Sequence, residues 1–241
     1  MSEADSQTRG LNWRSDPSPQ AQAVAVAEHI VEALQWAIDR RGKASLALSG
    51  GRGPELFLRQ LEQSDLAWDK VTITLVDERW VPADDAQSNA GLIRRCIPGV
   101  LQQARWLRLY RGESLEADAE AAQQMLEPLL PLDVVVLGMG DDGHTASLFP
   151  HMPGLAEYLS PQASPLCVAV PADGERLARL SMTARAIQSA GSKLLVITGE
   201  NKRQVLHEAL ASKNALAMPI EAFLSAPMDI FYSPDKKQES E

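Results

Sequence analysis

The chain has 241 residues, 45% of them hydrophobic and 23% charged, a composition that supplies a core of its own and excludes a disordered or fibrous polymer. Its formal net charge of −9 excludes a broad nucleic-acid or anionic-membrane surface, so an anionic ligand must meet a local basic pocket. No apolar stretch reaches the ~18 residues of a membrane span, and the start lacks the ~7–15-residue apolar core of a secretory signal; the expectation is a soluble, cytoplasmic protein with no membrane partner.

In chain order, residues 1–16 are polar and aperiodic, and with residues 233–241 they are expected to be frayed tails of a single domain spanning 1–241. From 20 to 41, Val24, Ala27, Ile30, Val31, Leu34 and Ile38 recur at helical spacing and Gly42 ends the pattern, which predicts a long amphipathic helix. His29 within it reads as a surface or packing residue. Beyond Gly42, apolar runs at 44–48, 71–76, 105–109, 134–137, 167–170, 193–197 and 228–231 alternate with helical segments near 54–61, 89–95, 115–126, 183–190 and 202–211. Strands rich in Val, Ile and Leu that alternate with helices predict an α/β fold: a doubly wound, largely parallel sheet with helices on both faces, three layers α/β/α. Cys96 and Cys167 show no C-x-x-C spacing and no nearby histidine ladder, so both read as free thiols of a reducing compartment.

Ligands of such sheets bind beyond the carboxyl ends of the strands, and the unusual segments of this chain all follow predicted strands. Ser49-Gly50-Gly51-Arg52-Gly53-Pro54 follows the first run; its glycines let backbone N–H groups approach a phosphate, and Pro54 suits the first turn of a helix. It matches neither the G-x-x-x-x-G-K-[ST] nor the G-x-G-x-x-G spacing, and a plain tight turn would also account for it. Asp77-Glu78-Arg79-Trp80 follows the second run. Its guanidinium can grip phosphate through two N–H bonds, although an ordinary solvated loop has the same composition. Gly199-Glu200-Asn201-Lys202 follows the sixth.

The stretch from Gly138 to Pro150, after the fourth run, is the most informative. Glycines, Asp141, Asp142 and His144 directly after a buried strand are hard to explain as packing, because each glycine costs backbone entropy and the histidine points from the sheet rim. A neutral imidazole can take a proton from water, and a neighbouring carboxylate can fix its tautomer. Gly138-x-Gly140-x-x-Gly143 matches a dinucleotide pattern, but its continuation is not the helix opening that such a cofactor needs. His144 and His151 lack zinc-site spacing, so no metal is expected.

These segments together resemble the 6-phosphogluconolactonase family, which is related to the glucosamine-6-phosphate isomerases, across residues 21–232. The 138–150 motif is the most specific part, and Asp77-Glu78-Arg79 with Ser88-Asn89 supports it. The resemblance implies a phosphorylated sugar lactone as substrate, water as co-substrate and no cofactor. Carried over residue by residue, it implies Gly50 and Gly51 in a phosphate loop, Arg79 after the second strand, His144 as the base, Lys202 opening a late helix and Arg176 as a basic phosphate contact. The family's loop commonly reads Ser-Gly-Gly-Ser/Thr-Pro, whereas Arg52-Gly53 here replaces the single hydroxyl residue, which makes Arg52 the candidate substitute. On this reading His144 takes a proton from water as it attacks C1, and Asp77 or Asp142 orients the imidazole.

Two rivals share the predicted fold. A sugar-phosphate isomerase or deaminase of the related branch resembles Asp-Gly-His-Ile-Ala-Phe-Asn-Glu, with a carboxylate five residues after the histidine, and that position here is Phe149. A non-catalytic sugar-phosphate sensor would have lost the base, whereas His144 and its acidic neighbours are present.

Overall fold

Branched apolar side chains fill both faces of a covered parallel sheet, and the runs rich in Val, Leu and Ile form its strands. The computed structural model describes residues 11–51, 53–224 and 227–235. Its strands are β1 (Leu11–Ser15), β2 (Ala44–Leu48), β3 (Val71–Leu75), β4 (Asp77–Arg79), β5 (Arg105–Trp106), β6 (Val134–Leu137), β7 (Cys167–Val170), β8 (Arg179–Met182), β9 (Ser192–Thr198) and β10 (Met228–Ser233). Seven of them form one sheet in the order β1-β10-β9-β6-β2-β3-β5, in which every neighbouring pair is parallel. Helices α1 (Pro19–Arg41), α2 (Glu55–Glu62), α3 (Asn89–Cys96), α4 (Pro98–Gln103), α5 (Leu115–Leu126), α6 (Leu155–Tyr158), α7 (Ala184–Gln188) and α8 (Glu200–Ser212) alternate with the strands. Covering the sheet on both faces, they complete the expected three-layer α/β/α arrangement.

From β2 the chain winds outward through β3 to β5, and from β6 it winds the other way through β9 to β10. The winding reverses between the neighbours β2 and β6. At such a reversal the following loops part and leave a crevice beyond the strand ends. Helix α1 backs the sheet, with Val26, Ile30 and Leu34 buried, the Ser18 side chain accepting the Ala21 N–H at its start, and Gly42 closing it at φ +73°.

The sequence reading differs from this structure in three places. Residues 11–15, expected in a frayed tail, form edge strand β1, which pairs with β10 from Leu11 opposite Met228 to Ser15 opposite Tyr232. Of its residues Leu11 alone is buried, so it leaves no apolar alternation to read. Ser233, likewise placed in a tail, ends β10 and is buried. The run 167–170 lies outside the parallel sheet: β4, β8 and β7 form a second, antiparallel sheet, because the chain doubles back between β7 and β8 at the tight Asp173–Arg176 turn. Among the described residues, no helix is long and apolar enough to cross a membrane. Cys96 and Cys167 are buried and unpaired, and burial pushes the Cys167 thiol up to about 12.

A single polar side chain ties α1 to the strand ends beside the crevice. The Gln22 amide donates to Ile197 O and Phe231 O, both at 2.8 Å, and its carbonyl accepts from the Thr198 and Ser233 hydroxyls, both at 3.1 Å. All four hydrogen-bonding directions of the amide are used. Gln22→Leu leaves two buried carbonyls without that donor, and the expected loss is about 2–4 kcal/mol in urea unfolding. A loss below about 0.5 kcal/mol, the range of neutral surface changes, would contradict this role.

Candidate active site

The segment after β6 turns sharply because its glycines allow it to. A Cβ at Gly140 would lie 2.0 Å from His144 Nδ1, and Gly143 takes φ +77° with Met218 Cβ 2.9 Å from where its own Cβ would be. A larger residue at 140 would push the imidazole away, and one at 143 would meet Met218. The loop closes on itself through Gly140 N–H to His144 O at 2.8 Å, and Thr145 Oγ1 donates to Gly138 O at 2.8 Å. Ala146 is held at φ +51°, a left-handed conformation unusual for alanine. The next residue fastens the loop to the second sheet, since Ser147 N–H donates to Ser181 Oγ at 3.0 Å and Ser147 Oγ to Asp77 Oδ2 at 2.6 Å.

His144 is thereby fixed at the rim of the crevice. Asp142 Oδ1 lies 2.5 Å from its Nδ1 and accepts its backbone N–H at 3.0 Å. A carboxylate can only accept, so the neutral ring carries its hydrogen on Nδ1 and leaves Nε2 as a free lone pair. Burial acts to raise the Asp142 carboxyl, but the hydrogen bonds from the His144 ring and backbone outweigh it and hold the group at about 2. Of the two acids proposed to orient the ring, Asp142 touches it. Asp77 lies deeper, buried and hydrogen-bonded to Ser147, with Arg179 Nη1 at 3.8 Å.

The crevice holds about 620 Å³ and is walled by all the glycine-rich and charged segments, with Gly50, Gly51, Asp77, Arg79, His144 and Lys202 among its lining. A Cβ at Gly50 would fall 1.9 Å from Asn89 Oδ1, so glycine alone lets the loop pass Asn89, and Gly51 sits at φ +91°. Asn89 in turn accepts from Arg79 Nη1 at 2.8 Å and donates to Asp77 O at 2.9 Å. Strand alternation sends Asp77 and Arg79 toward the crevice and Glu78 to the other side. There the Glu78 carboxylate accepts the N–H groups of Asn89 and Ala90 at 2.7 Å, capping α3. Lys202, on the first turn of α8, pairs with Asp141 at 2.8 Å, and that ammonium holds the Asp141 carboxyl below its ordinary range.

Arg179, not singled out by the sequence, also lines the crevice. It stands directly opposite Arg79 in the β4–β8 ladder. Its Nε is buried without a partner among the described residues, as is that of Arg79. Burial and the neighbouring Arg79 guanidinium lower the Arg179 pKa. Like charges placed opposite one another destabilise a sheet, and an anion between them relieves that cost. Arg176 is not among the crevice-lining residues: its guanidinium pairs with Asp173 at 2.8 Å and lies 4.0 Å over the Phe149 ring. Arg52 lies outside the described residues. His29 contacts Ser192 and Asp229 instead of the crevice. Among the described residues, no three His, Cys, Asp or Glu side chains gather as a metal site.

The pattern of the glucosamine-6-phosphate isomerases/6-phosphogluconolactonase family matches residues 17–231. A 6-phosphogluconolactonase of Pseudomonas putida is 45% identical over 214 residues, covering 88% of each chain, and one of Pseudomonas aeruginosa is 44% identical over 88% of this chain and 91% of its own. The crystal structure of a 6-phosphogluconolactonase from Shewanella baltica superposes with a TM-score of 0.87 at 38% identity, covering 92% of this chain and 97% of that one.

The Asp142–His144 bond predicts a pH signature. A carboxyl held below its unfolded value contributes stability that is present above the unfolded value and is lost as pH falls through the folded value. The Asp142 contribution is therefore complete above about pH 5 and fades toward pH 2. Unfolding free energies of wild type and Asp142→Asn should converge across that window. Parallel profiles would show that Asp142 does not depend on His144.

Proposed function

The chain belongs to the glucosamine-6-phosphate isomerase/6-phosphogluconolactonase family, and from that premise we propose that it hydrolyses 6-phospho-D-glucono-1,5-lactone to 6-phosphogluconate with His144 as general base. The observation that carries the reading is a single crevice with two chemically distinct parts. One is an imidazole held through Nδ1 by a carboxylate, with Nε2 free; the other is lined by glycine backbone, two opposed guanidiniums and an ammonium.

The phosphate binds to the backbone of Gly50 and Gly51 and to Arg79, Arg179 and Lys202. Lys202 exchanges or shares its Asp141 contact as the phosphate arrives. Binding far from the reacting bond then sets the lactone carbonyl beside His144. Nε2 takes a proton from water as the water oxygen bonds to C1, and Asp142 stabilises the imidazolium that forms. As the C1–ring oxygen bond breaks, the imidazolium returns that proton to the departing oxygen. The products are a free hydroxyl and a carboxylic acid that ionises in solution.

Enediol chemistry, the rival on this fold, calls for a further acid–base group near the substrate carbons. In the related branch a carboxylate stands five residues after the histidine. Here Phe149 holds that position, and its ring packs 4.5 Å from the imidazole, which favours water attack on an ester.

His144→Ala should lower kcat by ~10²–10⁴ with the fold retained. Near-normal turnover would remove His144 from the mechanism. Lys202→Met or Arg179→Met should raise KM for the phosphorylated lactone by roughly ten- to hundredfold, the weight of a charge-assisted hydrogen bond, and leave unphosphorylated gluconolactone nearly unaffected. Equal losses on both lactones would contradict the phosphate assignment. Because imidazole alone suffices to activate water against the ester, exhaustive chelation should leave the rate unchanged; loss of activity restored only by a divalent ion would overturn that.

A further inference from the structure

Phe149 and Arg176 are left without a task by the mechanism, yet they adjoin its base. The Phe149 ring lies with its centroid 4.5 Å from that of His144, tilted by 39°. The guanidinium carbons of Arg176 and Arg179 lie 4.0 and 5.2 Å from the centroid of the same ring. Arg176 is carried by the Asp173–Arg176 turn between β7 and β8, where Gly174 takes φ +59° and mutual backbone hydrogen bonds of 3.0 Å close the loop. Its side chain is 28% exposed, and its Nε is buried without a partner among the described residues where the guanidinium lies against the ring. Contact with Asp173, whose side chain is 77% exposed, anchors the guanidinium from the solvent side.

Resting on the reading of His144 as base, we propose that Phe149 and Arg176 are positioning residues: the phenyl ring fixes the imidazole plane, and the guanidinium stacked on that ring disfavours its protonation. An aromatic face already occupied by one cation is a poorer neighbour for a second. With the imidazole 4.5 Å and the guanidinium 4.0 Å from the same ring centre, the two lie within the screening length of about 10 Å, so their repulsion is only partly screened. The charges around His144 divide in sign. Asp142 at Nδ1 favours the imidazolium, as do Asp77 and Asp235 on the crevice wall, whereas Arg79, Arg179 and the Asp141-paired Lys202 oppose it. Arg176 adds to the opposing set without entering the crevice. Asp142 stabilises the ion once formed, and the cations act against it.

Arg176→Gln, which keeps the length and loses the charge, separates this role from phosphate binding. The acid limb of kcat/KM should move to higher pH by about half a unit, a roughly threefold loss on the acid side, equally for phosphorylated and unphosphorylated lactone. KM for the phosphorylated lactone near pH 8, above the ordinary histidine range, should be unchanged. The NMR titration of the His144 ring, assigned with His144→Asn, should move the same way. Phe149→Leu should lower kcat about tenfold, within the range set by misplacing a general base, and Phe149→Tyr should restore it. A His144 titration in Arg176→Gln that overlays wild type, or a KM increase confined to the phosphorylated lactone, overturns the proposal. The premise fails separately: turnover surviving in His144→Asn removes the base, whatever Arg176→Gln does to the titration.

Discussion

The reversal of winding between β2 and β6 is the constraint on which the site depends. These strands are parallel neighbours, with Leu46 opposite Val134 and Leu48 opposite Val136, but their following segments leave in opposite directions. Ser49 bridges the gap at once, its N–H and its hydroxyl both donating to Val136 O at 3.1 and 2.8 Å. Immediately beyond that clamp one segment presents glycine backbone and the other presents His144. The sheet therefore sets the separation between the glycine loop proposed to hold phosphate and His144, the proposed base.

A second small sheet completes what the first begins. Strand β4 follows β3 directly and carries Asp77 and Arg79, and β8 lays Arg179 beside them through antiparallel pairing. Concentrating guanidiniums in this way is costly unless an anion lies between them, and it gives a chain of net charge −9 a local cationic patch. Neighbouring polar groups and one acid share the task of holding these cations. Asn89 and Gln87 O fix Arg79, Asp141 fixes Lys202, and Ser147 links Asp77 to the loop that bears His144. An anionic substrate would complete a network already arranged around it.

Much of this was legible in the sequence because it is local. The run 134–137 is continuously apolar and 44–48 is broken only by Ser45; they coincide with β6 and β2, and the Asp142–His144 contact spans two residues. Non-local pairing hid the rest. Arg176 and Arg179 lie three residues apart and look equivalent in sequence; the register that sets Val170 opposite Arg179 turns one toward the crevice and leaves the other on the Phe149 ring. Strands β1, β4 and β8 are short or polar, so they offer little apolar periodicity, and they exist through the partners they find. The choice between Asp77 and Asp142 as the group at the imidazole was also one of geometry, since both are acids next to strand ends.

A crystal structure with 6-phosphogluconate bound tests the account most directly. It should place the phosphate among Gly50, Gly51, Arg79, Arg179 and Lys202, with Arg176 still on the Phe149 ring and the C1 carboxylate within hydrogen-bond reach, about 2.6–3.2 Å, of His144 Nε2. A phosphate held elsewhere, or a C1 carboxylate beyond the reach of His144 and of a single bridging water, would contradict it.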